Sequence, residues 1–207
     1  MSIKECTNEY EKEYWPKGEV ILGIDEAGRG PLAGPLTVAG VIFPIGYTNE
    51  NIYDSKAISQ KKRDALYDVI INDALWYKIV QVSPEDIDKY DIYHADQRVM
   101  ELIANEAPSN VVLTDAMPIN IEDKIVFNPI KGDQKSINIA AASILEKVSR
   151  DRIMEEYDEI YPGYGFKKNK GYPTKEHMNA LDELGITPIH RKSFGPVRDA
   201  YIKIKLF

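Results

Sequence analysis

Four carboxylates stand where this chain could do chemistry. Asp25 and Glu26 follow the apolar run VILGI and precede GRGPLAGP. Asp115 closes VVLTD, and Asp133 lies in NPIKGDQKS. Brought together in a low-dielectric site, four such groups raise one another's pKa and cannot all stay charged unpaired. An oxygen-rich cluster without His or Cys is the preference of Mg²⁺ or Mn²⁺. Two such ions can clamp the attacking and leaving oxygens of a phosphodiester. Each position also has a plainer reading. Asp25 and Glu26 could be solvated acids of a tight turn, and Asp133 could cap the helix that follows it, where the dipole favours its charge.

The elements that must carry these groups follow from pattern. VILGI predicts a buried strand from Val20 into Asp25. Neighbouring strand residues face opposite ways, so Asp25 and Glu26 share a site only if the backbone bends there, a freedom that Gly28 and Gly30 supply. LTVAGVIF (36–43) is a second strand, close enough to pair with the first. Residues 58–75 carry a helical stripe opened by Ser59 as N-cap. WYKIVQVS (76–83) reads as a strand, 83–107 as a short and then a longer helix, and VVLTD and KIVFNP as two more strands. The longest helix runs from Ser136 to about Tyr157. A Pro/Gly/Lys/Tyr loop (162–173), a helix from Thr174 to Leu184 and a final segment, whose AYIKIKLF end reads as helix or strand, complete the chain. This order argues one α/β domain with a mixed sheet and a small C-terminal extension. Asp115, at the carboxyl end of a strand, then sits where open α/β sheets bind their ligands.

Composition bounds the partners. Charged residues make up 29% of the 207 against 43% hydrophobic, and no apolar run approaches the roughly 18 residues of a membrane span. The acidic start MSIKECTNEYEKEYW lacks the apolar stretch of a secretory signal, and the single Cys6 allows neither an internal disulfide nor a cysteine cage. A reducing cytoplasm fits. The net charge of −7 divides unevenly: residues 160–207 carry +5 and the preceding 159 carry −12. A basic C-terminal quarter can turn one face toward a polyanion, although a charge run is more often a solvated face.

These blocks closely resemble the ribonuclease HII (type 2 ribonuclease H) family, over about Val20 to Val197. The resemblance rests on IDEAGRGPLAGP (24–35), DSK (54–56), the strand-end Asp115 and KGDQKSINIAAASILEKVSRD (131–151). GFKKNKGYPTKEH (165–177) and IHRKSFGPV (189–197) continue it in the family's order. The resemblance implies a ribonuclease H-like fold, a mixed central sheet flanked by helices with a small helical C-terminal extension. It divides the chain into an N-terminal extension (1–18), a catalytic domain (19–160) and a substrate-binding extension (161–207). The implied activity is that of a hydrolase, a metal-dependent endonuclease using Mg²⁺ or Mn²⁺. It cuts the RNA strand of RNA–DNA hybrids and nicks DNA 5′ of embedded ribonucleotides, leaving 3′-hydroxyl and 5′-phosphate ends. Such nicking opens ribonucleotide excision.

By the same resemblance Asp25, Glu26, Asp115 and Asp133 are the catalytic, metal-binding carboxylates. Gly28, Arg29 and Gly30 contact the 2′-hydroxyl, and Tyr172 senses the junction. Lys56 is a candidate phosphate contact beside the plain reading of a surface lysine, and Lys167, Lys168 and Lys170 would neutralise phosphates. The partners expected are nucleic acids, with no membrane and no obligatory protein partner. The sequence departs from the family at Asn169, where a histidine is usual, and at Ala57, where a second lysine often stands. His94, His177 and His190 read as structural, Tyr161 and Tyr164 as packing residues, and Arg191 and Ser193 carry no assigned role. A non-cutting junction binder is disfavoured by the acidic cluster. A nucleotide-phosphate loop is disfavoured because GRGPLAGP lacks the GK[ST] ending.

Overall fold

The computed structural model describes residues 5–205. The chain forms two compact units. The first gathers the described residues up to Ala27 with Val38–Val80 and Asp96–Val148. The second gathers Gly28–Thr37, Gln81–Ala95 and the described residues from Ser149 onward.

Five strands build one mixed sheet flanked by helices. They are β1 (Ile21–Ala27), β2 (Leu36–Ile42), β3 (Trp76–Val82), β4 (Val111–Thr114) and β5 (Ile125–Phe127), in the spatial order β3-β2-β1-β4-β5. β1 pairs in parallel with β4, Ile24 opposite Thr114, and β4 in parallel with β5. β1 and β2 are neighbours, as the sequence leads one to expect, and 76–83 does form a strand. Full burial of Ile21, Leu22, Val111, Val112 and Leu113 accounts for their unbroken apolar runs.

The helices are α1 (Glu9–Tyr14), α2 (Gln60–Asp73), α3 (Pro84–Tyr90), α4 (Ile92–Glu106), α5 (Gly132–Lys135), α6 (Ile137–Ile160), α7 (Phe166–Asn169), α8 (Lys175–Leu184) and α9 (Gly195–Lys205). Ser59 caps α2 as expected, its side chain accepting from the Lys62 N–H. The C-terminal segment resolves as helix. Three short α-helices among the described residues were not anticipated: α1, α5 just before the long helix, and α7 inside the stretch expected to be loop.

In the first unit the N-terminal half of α6 is buried on every side from Ile137 to Leu145. It packs with Val41, Phe43, Leu66 and Ile70. Alanines at 140–142 keep this helix thin, and β1 approaches it closely. A Cβ built on Gly23 would lie 2.3 Å from the Asn138 carbonyl carbon and the Ile139 nitrogen. The helix start is capped from several directions. Ser136 Oγ accepts from the Ile139 N–H at 3.4 Å, and Asn8 Oδ1 accepts from the Ile137 N–H at 2.9 Å. Glu11, fully buried on α1, accepts through Oε1 from Ser136 Oγ and from Asn138 Nδ2, while Asn138 Oδ1 accepts from the Phe43 N–H. The N-terminal segment therefore supplies caps that the helix needs. Asp133 is not the cap of the long helix; it stands in the first turn of α5, whose N-cap is Lys131.

The second unit has its own apolar clusters. Ala33, Met154, Tyr164, Phe166, Ala180 and Ile189 form one, and Leu32, Leu181, Val197 and Ala200 form another.

Gly23→Ala forces a methyl into main-chain atoms that cannot yield. It should lower unfolding free energy by about 1–3 kcal/mol, the usual cost of overpacking, measurable by urea denaturation. An unchanged midpoint would mean that β1 and α6 can separate freely.

Candidate active site

The parallel pairing of β1 and β4 places two acids at one level. With Ile24 opposite Thr114, the next residues are Asp25 and Asp115, and the Asp115 N–H donates to the Ile24 carbonyl at 3.1 Å. Asp115 Oδ1 accepts from the Gly132 N–H at 2.8 Å, holding the loop that brings in Asp133. A Cβ on Gly132 would come within 2.6 Å of Ile139 Cδ1, so a larger residue here would have to displace that side-chain methyl. The expected bend comes later than the acidic pair. β1 runs unbroken to Ala27 and Gly28 takes the turn with φ 100°. The Glu26 N–H donates to Asp25 Oδ1 at 2.8 Å.

The electrostatics gather Asp25, Asp115 and Asp133 into one cluster. Asp25 and Asp133 are each only 8% exposed. Burial, and then the Asp115 charge, hold the Asp25 pKa well above the carboxylate range, and Asp133 adds to the effect against the pull of the Glu26 N–H. Asp133 is raised by burial, then by Asp115 and Asp54. Burial works against the charge of Lys56, but Asp25, Asp133, Asp54 and Asp115 outweigh it and raise its pKa. Lys56, exposed at the surface, thus stands in the field of the acids. Asp54 belongs to the same field and was missed by the sequence reading. Its Oδ1 accepts from the Lys56 N–H at 2.9 Å, and the acid of the DSK block was its only signal. Among the described residues no three His, Cys, Asp or Glu side chains stand grouped as ready-made ligands for an ion. The donor set nonetheless fits a hard divalent cation, being all oxygen, partly desolvated and mutually repelling.

In the second unit the loop after β1 is sculpted by buried groups. A Cβ on Gly28 would lie 2.3 Å from Arg150 Nε. Gly30 takes no positive φ, and a Cβ there would make ordinary 3.5 Å contact with Tyr172 Cε1. The conformational argument for glycine therefore holds at Gly28 and not at Gly30. Tyr172 is 46% exposed. Its N–H donates to the Asn169 carbonyl at 2.9 Å. Asn169, at the family's histidine position, is buried, donates from Nδ2 to the Tyr164 carbonyl and accepts at Oδ1 from the Gly171 N–H. Lys167 and Lys168 are exposed, whereas Lys170 is committed internally to Glu155 Oε1 at 2.9 Å and to the Asp151 carbonyl. Lys170 therefore drops out of the expected phosphate-binding trio. His94 forms a surface ion pair with Asp91. His177 and His190 are buried in contact with one another, His177 Nε2 lying 3.1 Å from His190 Nε2.

A mixed sheet with Asp25 late in β1 and Asp115 just after its parallel neighbour β4 has carboxylates where open α/β sheets bind their ligands. A family model described as Ribonuclease HII matches residues 22–197. Ribonuclease HII of Clostridioides difficile (strain 630) is 51% identical over 92% of this chain and 76% of its own length. That of Leuconostoc citreum (strain KM20) is 46% identical over 95% and 76%. The crystal structure of ribonuclease H2 from Pyrococcus horikoshii OT3 shares the fold with a TM-score of 0.80 at 23% identity, over 90% of this chain and 99% of that one. The chain belongs to the ribonuclease HII family, enzymes that cleave RNA in RNA–DNA hybrids.

Burial and the neighbouring His177 push the His190 pKa down to about 4, from an unfolded value near 6.5. The neutral ring's contribution is present above about pH 6.5 and is lost as pH falls toward 4, because the unfolded chain then binds the extra proton. Across that window the loss should be about 3 kcal/mol. His190→Gln should flatten the acid limb of a stability–pH profile, and an unchanged slope would place the titration elsewhere.

Proposed function

We propose that this chain is a divalent-metal-dependent endonuclease, acting in the cytoplasm. It hydrolyses the RNA strand of RNA–DNA hybrids and nicks DNA 5′ of an embedded ribonucleotide, yielding 3′-hydroxyl and 5′-phosphate ends. The observation that carries this reading is the clustering of Asp25 and Asp115, on the adjacent strands β1 and β4, with Asp133 from the first turn of α5 and with Lys56 in their field. The family's need for a divalent metal supports it.

Asp25, Asp115 and Asp133 would hold Mg²⁺ or Mn²⁺, with Glu26, which follows Asp25 in the unbroken strand, joining them as the family resemblance implies once its side chain reaches the ion. The bound ion activates water and stabilises the departing 3′-oxygen. The side chains of this protein do the rest. The buried acids supply negative charge whose repulsion an incoming cation relieves. The Lys56 ammonium, in the field of these acids, would meet a phosphate oxygen that approaches them. Gly28 lets the loop turn at once after the strand, so that Arg29 and Gly30 can present backbone groups to a 2′-hydroxyl, the atom that separates RNA from DNA. Tyr172 offers a half-exposed ring against which a deoxyribose packs more closely than a ribose. Lys167 and Lys168 remain for sequence-independent phosphate contact.

The test is a duplex carrying one ribonucleotide, incubated with and without Mn²⁺ or Mg²⁺ while the nick is mapped. Cleavage 5′ of the ribonucleotide only with metal is expected. Asp25→Asn should abolish it while raising the melting temperature without metal, since a buried repelling charge has gone. A folded Asp25→Asn protein that cuts at near the wild-type rate would sink the ligand assignment.

Tyr172→Ala should slow cleavage at a single ribonucleotide more than within continuous RNA, by an amount equivalent to about 1–3 kcal/mol, the worth of an aromatic stacking position. Phe should recover much of the loss if stacking dominates. Equal slowing on both substrates would leave Tyr172 a packing residue.

A further inference from the structure

His190 and Arg191 are consecutive, both buried, and reach in different directions within the second unit. Arg191 is 0% exposed and donates from Nε and Nη2 to the Gly34 carbonyl at 3.0 and 2.9 Å, and from Nη1 to the Arg29 carbonyl at 3.2 Å. Its backbone N–H donates to the Leu32 carbonyl at 2.9 Å, and Ala33 and His190 form an antiparallel bridge. The loop that carries Arg29 is thus held by a guanidinium fork whose geometry no ammonium reproduces.

His190 works the other way, through a chain of bonds whose proton positions are dictated at both ends. The Thr187 N–H, 2.9 Å from His190 Nδ1, can only donate, so Nδ1 accepts and the ring proton sits on Nε2. His190 Nε2 therefore donates to His177 Nε2 at 3.1 Å, which leaves the His177 proton on Nδ1. From there it donates to the Tyr172 carbonyl at 3.0 Å. The relay is walled by the rings of Tyr164 and Phe166, with His177 edge-on to both. Tyr172 keeps its own ring half exposed, so its backbone bonds do much to decide where that ring stands.

We propose that His190, Arg191 and His177 are positioning residues for ribonucleotide recognition: Arg191 sets the carbonyl of Arg29, and His190, through His177, sets Tyr172. This rests on the reading that Arg29 and Tyr172 meet the ribonucleotide and its junction. It assigns a role to Arg191, which the sequence left without one. It also makes the IHR tripeptide the common anchor of the two recognition elements.

The test measures kcat and KM on a single-ribonucleotide duplex and on a continuous hybrid, well below the measured melting temperature of each protein. His177→Phe keeps an aromatic ring in the cluster and removes the donor to Tyr172. It should lower kcat/KM on the single-ribonucleotide duplex by roughly tenfold, as small misplacements of recognition groups do, and on the hybrid by no more than about twofold. His177→Gln, whose amide can donate to the carbonyl and accept from His190, should restore most of the difference. Arg191→Lys should raise KM on both substrates alike, because the turn meets a 2′-hydroxyl in each. Should Arg191→Lys fail to fold, the His177 pair decides alone. A loss on both substrates by the same factor in His177→Phe, or an unchanged KM in folded Arg191→Lys, overturns the positioning role. A wild-type protein that cuts the hybrid but leaves the single-ribonucleotide duplex whole overturns the junction reading instead.

Discussion

The absence of a side chain at Gly23 is the constraint on which the first unit, with its cluster of buried acids, depends. It lets β1 press against the first turn of α6, with only 2.3 Å between a would-be Cβ and the helix backbone. That contact fixes the height of β1, the parallel register fixes β4 beside it, and Asp25 and Asp115 emerge at one level as a consequence. The same turn of α6 begins just after the short helix bearing Asp133. The three acids are therefore positioned by one piece of close packing. Interiors packed to crystal density transmit such placements with little slack.

The acids themselves oppose the fold. Asp25 and Asp133 have their pKa values raised by burial and by one another's neighbour Asp115, which means that each costs stability in its ionised form. Stability is recovered around them. Glu11 ties Ser136 and Asn138, Asn8 caps Ile137, and Asn138 reaches the Phe43 N–H. Buried charges that cost stability, offset by hydrogen bonds around them, are a common compromise in folded proteins.

What could be read from the sequence divides along a physical line. Asp115 was legible because a carboxylate closing an apolar run marks a strand end, and the α6 pattern was legible because a long run of alanine and isoleucine has nowhere to go but the interior. Asp54 was not: an acid that caps the single 3₁₀ turn Ser55–Ala57 looks like any turn residue until the fold brings its charge to bear on Asp133. Nor was the commitment of Lys170 to Glu155, because a lysine in a basic run gives no sign that its neighbour across the chain is acidic. The cap from Asn8 and Glu11 was hidden for a simpler reason. It joins residues more than a hundred positions apart, and no local pattern encodes such a bond.

The loop after β1 shows why buried arginine serves here. A loop that turns several carbonyls inward must have them satisfied without side-chain bulk of its own. Arg150 and Arg191 do this from beneath, donating to the carbonyls of Ala33, Pro35, Gly34 and Arg29. Burial, followed by the charge of Arg150, pushes the Arg191 pKa down to about 9. That value still leaves the guanidinium charged at neutral pH. A lysine, already lower at the start and meeting the same desolvation, would risk losing its proton and with it a donor. The choice of arginine thus follows from two demands met at once, several carbonyls to be held and a charge to be kept where little water reaches.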